Sequence, residues 1–345
     1  MYTVKSKITK SRFKTRRRTN SIVKHPYIQK ETTNIIVRNR IKGIYSKPYW
    51  QVIQSGGAIV ESQGYTFLYE KNNSIYTCVA NKPYTGLCFK IEFNKEDKTI
   101  ILDIGYSPGC SVNKELPKSS GTLAMLTAIL KIVFTHRDIK HYNSIQLSDT
   151  SAIPCTSFID NREYMIELSN MYFLSTGCTW YSTLSPMFLL SKSDEKTYLT
   201  DKTLILNPSY TWNTLLSELP LTTSDTLKSI IQFENPDRAN EPAHHIVNSI
   251  RDAKHHCIIF KMFMDDLLKT FKVSSMKGKV WCIPLQNGRI IGCKEVDACI
   301  DAKKVWILSE LIDWVSIGEY NALKNKIQTD DIPIDLHVDK VNYRY

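Results

Sequence analysis

Residues 98–151 read KTIILDIGYSPGCSVNKELPKSSGTLAMLTAILKIVFTHRDIKHYNSIQLSDTS, and the way this stretch parses decides the fold. Ile100, Ile101, Leu102 and Ile104 make a short apolar run of buried-strand type. A long loop rich in Ser, Gly, Pro and Lys follows. Ser119-Ser120-Gly121-Thr122 then opens a helix predicted to reach His136, and Ser144–Ser148 reads as a second strand. Strand, loop, helix and strand in that order make a crossover unit. A Gly/Ser loop at a helix start is also a ready anion site, because first-turn N–H groups have no intrahelical partners and the helix dipole favours negative charge there. A crossover with no ligand is the plainer alternative.

Upstream of this unit the pattern is β-rich. Strands are predicted around Ile35–Val37, Tyr49–Ile53, Ala58–Val60, Tyr65–Tyr69 and Ser74–Val79. Leu87–Phe93 and Thr99–Ile104 flank Asn94-Lys95-Glu96-Asp97, a hairpin signature. The crossover helix is apolar almost all round, from Leu123 to Phe134, so it should be central and buried. Downstream, Met165–Thr176 reads as a short helix stopped by Gly177. Beyond Leu204 the chain becomes mainly helical, with helices at Trp212–Leu219 and Ser224–Phe233 and a long one over Asn240–Phe271. A hairpin turned by Gln286-Asn287-Gly288 follows, then a last helix over Asp297–Ile327. Antiparallel strands followed by one crossover argue for an α+β class with a mixed, mostly antiparallel sheet. The expected division is a basic arm at 1–29, an α+β domain at 30–195, and a helical domain with a small hairpin at 196–345.

Charge is concentrated rather than spread. The 345 residues carry a net +11, of which Lys5, Lys7, Lys10, Arg12, Lys14, Arg16, Arg17, Arg18 and Lys24 supply nine, with no acid before Glu31. This is a basic arm on a near-neutral body. The arm has too few aliphatic residues to fold alone and should be disordered. Lys14 and Arg16-Arg17-Arg18 are its candidate contacts to nucleic acid or an acidic protein surface, through counter-ion release; a solvated tail or a localisation signal is the alternative. No window approaches the roughly 18 to 20 consecutive apolar residues of a membrane-spanning helix. The charged start of the chain is unlike a secretory signal. Nine cysteines without CxxC spacing fit free thiols, so the chain is expected to assemble without disulfides inside a cell.

Few other constellations carry chemistry. His244-His245 and His255-His256 fall near one face of the predicted long helix, but about 16 Å apart at 1.5 Å per residue, too far to share a metal. No metal site is predicted. No general base stands out; Glu163 and Glu167 are reachable in sequence, though solvated surface acids are the simpler reading of both.

The element order resembles that of the GNAT family of N-acetyltransferases, and more closely the acetyltransferase-like proteins encoded by large DNA viruses. The residues that carry the likeness are Ser120-Gly121-Thr122 at the helix start, Asp149-Thr150-Ser151 after the next strand, and Gly177-Cys178-Thr179-Trp180-Tyr181. The resemblance covers about residues 35–190. It implies an acetyl-CoA cofactor whose pyrophosphate sits on the backbone of Ser119, Ser120, Gly121, Thr122 and Leu123. It also implies acyl transfer to an amine, with Tyr172 as the acid for the departing thiolate. Two departures stand out. The loop Leu116-Pro117-Lys118-Ser119-Ser120-Gly121 keeps one glycine and lacks the family's Gln or Arg, and Tyr172 lies five residues before Gly177 instead of four. The alternative is a non-catalytic structural or assembly protein, with virion components as partners and the host cytoplasm or the virion as its location.

Overall fold

The structure is a computed structural model. It describes residues 57–330 apart from 118–120, 151, 157–162, 184–186, 233–235, 253–255 and 295–310. The chain divides into two units, Met1–Lys47 and Pro48–Tyr345, and every described residue belongs to the second. The arm residues Lys14, Arg16, Arg17 and Arg18, the strands expected at 35–37 and 49–53, and Ser119 and Ser120 lie outside the described residues.

Five strands open the described chain as a meander: β1 (Ala58–Ser62), β2 (Tyr65–Asn72), β3 (Ile75–Val79), β4 (Leu87–Asn94) and β5 (Thr99–Ile104). Each is antiparallel to the next. The predicted turns close them, with Asn73 and Lys98 in the left-handed region at φ 53° and 54°. Helix α1 (Gly121–Thr135) then crosses back, and β6 (Ser144–Ser148) pairs parallel to β5. The crossover read from residues 98–151 is therefore present. Helix α1 is as buried as its composition requires, with Ala124, Met125, Ala128, Ile129 and Val133 at 0% exposure. It packs against β1, β2 and β4.

After β6 the chain departs from its sequence reading. A hairpin, β7 (Ala152–Thr156) with β8 (Glu163–Glu167), stands where a loop and the first turn of a helix were predicted. Helix α2 (Leu168–Thr176) follows and is capped by Gly177 at φ 68°, as expected. The short strand β9 (Phe188–Leu189) leads into α3 (Lys192–Ile205). This helix is missing from the prediction because its surface is Thr- and Lys-rich; its start signal was nonetheless legible, Ser191 accepting from the Asp194 N–H.

Three more corrections concern the second half. The chain continues through α4 (Trp212–Glu218) and α5 (Leu221–Gln232). The long helix expected over 240–271 is two, α6 (Ala243–Asp252) and α7 (His256–Phe271); His244 and His245 lie on the first, His256 starts the second, and His255 lies outside the described residues. The hairpin β10 (Val280–Gln286) with β11 (Arg289–Gly292) is not part of a separate domain. Strand β10 lies antiparallel to β6 and to β9, inside the same sheet as the meander. The boundary expected at 195/196 thus falls within one compact unit, and the helices between β9 and β10 are an excursion from a single sheet. Finally, β12 (Ile312–Trp314) pairs parallel to β11 within the range expected as one helix, and among the described residues of that range α8 (Ile317–Ile327), started by a Ser316–Glu319 capping box, is the helical part.

Among the described residues the result is an α+β fold with a ten-stranded, mixed, mostly antiparallel sheet in the order β1-β2-β3-β4-β5-β6-β10-β11-β12, β9 pairing with β10. Helices α2, α6 and α7 pack on one another, and α7 covers the β7–β8 hairpin. No helix among the described residues is long and apolar enough to cross a membrane.

The expectation of free thiols throughout is overturned. Cys88 on β4 and Cys110 in the loop after β5 form a disulfide, their Cα atoms 5.6 Å apart, and Cys178 is also disulfide-bonded. Sequence spacing did not reveal the first pair because the loop after β5 folding back onto β4, not a CxxC motif, brings the two together. The bridge spans 22 positions. A Cys88→Ala/Cys110→Ala variant should lose about 3 kcal/mol of stability, the loop-closure entropy released in its unfolded chain. Urea unfolding under non-reducing conditions measures it.

Candidate functional site

The crossover places two features at the C-terminal end of β5, the start of α1 and the gap where β5 and β6 part. Each is shaped by a segment whose role the sequence did not reveal.

The start of α1 is covered by the loop that precedes it. Residues Cys110, Val112 and Leu116 of this loop are buried, at 0%, 6% and 3% exposure, although the surrounding sequence is polar. The loop is anchored at both ends and in the middle. Asn81 donates from its backbone N–H and from Nδ2 to the Gly109 carbonyl at 2.9 and 3.0 Å. Leu116 N–H donates to the Pro108 carbonyl at 2.9 Å, and the Tyr106 hydroxyl donates to the Leu116 carbonyl at 2.8 Å. These bonds hold Tyr106 and Leu116 against Gly121. A β-carbon placed on Gly121 would lie 2.9 Å from Leu116 Cβ and 3.1 Å from Tyr106 Cε2. The Gly121 N–H already donates to the Pro117 carbonyl at 2.9 Å. Of the predicted cradle, then, Gly121 is buried beneath the loop, Thr122 and Leu123 are half-buried, and Ser119 and Ser120 are outside the described residues.

At the end of the β5–β6 pair two carboxylates have a buried aromatic neighbour. The parallel register of β5 and β6 ends at Leu102 opposite Leu147. Beyond it stand Asp103 on β5 and the wholly buried Asp149 just after β6. Tyr181, 3% exposed, packs edge-on to Trp180 with ring centroids 5.0 Å apart. Burial pushes its phenol pKa up, and the negative charges of Asp149 and Asp103 push it further in the same direction. A phenol beside two carboxylates stays neutral and can donate, but it cannot serve as a base near neutral pH.

Tyr172 sits on α2 and is engaged by α6. The Arg251 guanidinium lies over its ring, 5.0 Å from the centroid, and Arg251 Nη1 donates to Ser175 Oγ at 3.2 Å. Glu167 accepts from Lys277 Nζ at 2.5 Å and from Asn170 Nδ2 at 2.7 Å, so it ties α2 to the segment before β10. Glu163 begins on β8. Among the described residues no group of three or more His, Cys, Asp or Glu side chains is arranged to hold a metal ion. Sequence reasoning does not find the covering role of Tyr106 and Leu116, and Tyr181 enters it only as the end of the Gly177-Cys178-Thr179-Trp180-Tyr181 element. The available signal was the apolar spacing of Tyr106, Cys110, Val112 and Leu116 within an otherwise polar loop.

No protein-family model matches the chain, and neither the curated proteins nor the solved structures include a match to it.

Proposed function

We propose that the chain is a non-catalytic protein on a GNAT-like fold, of the kind encoded by large DNA viruses, and that it acts in assembly with its basic arm on nucleic acid. The GNAT-like reading draws support from the meander, the parallel β5–β6 pair joined by a buried helix, and the return of β10 beside β6. The observation that carries the non-catalytic reading is the covered start of α1. A pyrophosphate cradle needs a helix start open to close approach by the ligand. Here the Gly121 position is filled from above by Leu116 and Tyr106 at contact distance. The covering of Gly121 supports a reading without acetyl-CoA, and no acyl-transfer step is derived for the chain.

Titration with acetyl-CoA and with free coenzyme A in a calorimeter tests this reading. No saturable heat is expected from either. Saturable binding with Kd tighter than about 100 μM, equivalent to roughly −5.5 kcal/mol, that is abolished in Gly121→Glu would overturn it and restore an acyltransferase with Tyr172 as the candidate acid. Nine cations between Lys5 and Lys24 without an intervening acid are the basis for the nucleic-acid part. Virion components are the partners such an assembly role would have.

A further inference from the structure

We infer that the folded body carries a second nucleic-acid contact, a track of cations at the end of the sheet opposite the start of α1, which takes successive phosphates of a single strand. The inference extends the nucleic-acid part of the proposed function and is independent of the coenzyme A reading.

Three connections meet at this end: the β2–β3 turn, the β4–β5 hairpin, and the link from α1 to β6. They enclose two adjoining hollows of about 280 and 120 Å³. Lys71 and Arg137 border the larger, Lys98 and His141 the smaller, and Lys95 and Asp138 line both. Four permanent cations therefore face one carboxylate. Asp138 is itself engaged, with Lys95 Nζ at 3.2 Å and Arg137 Nε at 3.8 Å. Of the nearby hairpin acids, Asp97 accepts from Asn94 Nδ2 at 2.6 Å, and Glu96 is exposed in the turn. The local field stays positive.

The larger hollow offers a surface for bases. His136 lines it, stacked on Phe93 with centroids 4.0 Å apart and planes 19° apart. Two small adjoining hollows, each flanked by cations, suit a phosphodiester chain. A membrane would call for exposed apolar side chains beside the cations, whereas Leu221, Met262 and Leu199 lie on α5, α7 and α3.

The test is fluorescence anisotropy of the full chain with a labelled single-stranded oligonucleotide in a salt series. Lys71→Gln/Lys98→Gln/Arg137→Gln leaves Lys95 in place to neutralise Asp138. It should reduce the slope of log affinity against log salt by about 2 and weaken binding roughly 50-fold at 0.1 M salt. If the triple variant binds like the unmodified chain while neutralising Lys14, Arg16, Arg17 and Arg18 abolishes binding, the track is overturned and the arm reading stands. If the unmodified chain does not bind the oligonucleotide, both fall. Displacement of the oligonucleotide by polyglutamate at equal charge concentration would also overturn the assignment, by making the partner an acidic polypeptide.

Discussion

Gly105→Ala is expected to destabilise the protein by about 3 kcal/mol, at the top of the range for overpacking a well-filled site. A β-carbon at this position would lie 2.3 Å from the Leu87 carbonyl oxygen. That oxygen belongs to β4, which is hydrogen-bonded on both sides to β3 and β5 and cannot move away. The Gly105 N–H also donates to the Cys88 carbonyl at 2.9 Å, which holds the glycine against the strand. Gly86 is the control. It has φ +111° but nothing within 4 Å of its missing β-carbon, so Gly86→Ala tests backbone strain without a clash. Strain of that kind costs of order 1 to 3 kcal/mol, and we expect the lower end at this exposed turn. Urea unfolding of the pair decides between them. A Gly105→Ala midpoint equal to or above that of Gly86→Ala would show that the loop does not press on β4.

Trp281→Ala should cost about 4 kcal/mol, the usual range for a large aromatic removed from a core. Trp281 is 1% exposed, on β10, facing Leu147 of β6 in register on one side and Leu189 of β9 on the other. It also meets Tyr198 of α3 edge-on, with centroids 5.3 Å apart and planes at 88°. One side chain thus joins the meander half of the sheet to the helical excursion. Its indole N–H has no acceptor. Trp281→Phe removes that unsatisfied donor along with part of the ring, so its loss should be about 2 kcal/mol or less. Chemical unfolding of both variants checks the order. Equal losses would mean that the N–H is satisfied after all.

How much of this was legible beforehand depends on whether the cause is local. The β4–β5 hairpin, α1 and β6 follow from Asn94–Asp97, from the apolar run of α1, and from the Ile145 and Leu147 alternation, all of which act over neighbouring residues. The β10–β11 turn at Asn287-Gly288 was legible for the same reason, both residues adopting positive φ. What failed was long-range. Nothing near Val280 indicates that its partner is Ser148, so β10 was assigned to a second domain. Cys88 and Cys110 likewise meet only because β4 and the loop are neighbours in the fold. The candidate site divides in the same way. The helix start at Gly121 was legible from Ser120-Gly121-Thr122, whereas its covering by Tyr106 and Leu116 depends on how the loop folds back. Single-sequence reading locates a cradle more easily than it detects a lid of ordinary side chains over it.

The return of β10 to the sheet has a consequence for how the chain reaches its native state. Ser148 Oγ donates to the carbonyl of Gly278, a residue 130 positions further along. During synthesis β6 leaves the ribosome long before β10 exists to flank it, and until then Ile145 and Leu147 stand on an open strand edge. The segment carrying α3 to α7 must be made, and kept from pairing wrongly, before that edge closes. Sheets completed by such distant strands fold slowly, because the entropy of loop closure is lost before the contacts form. The same delay makes β6 the place where a second nascent copy of the chain would dock by mistake.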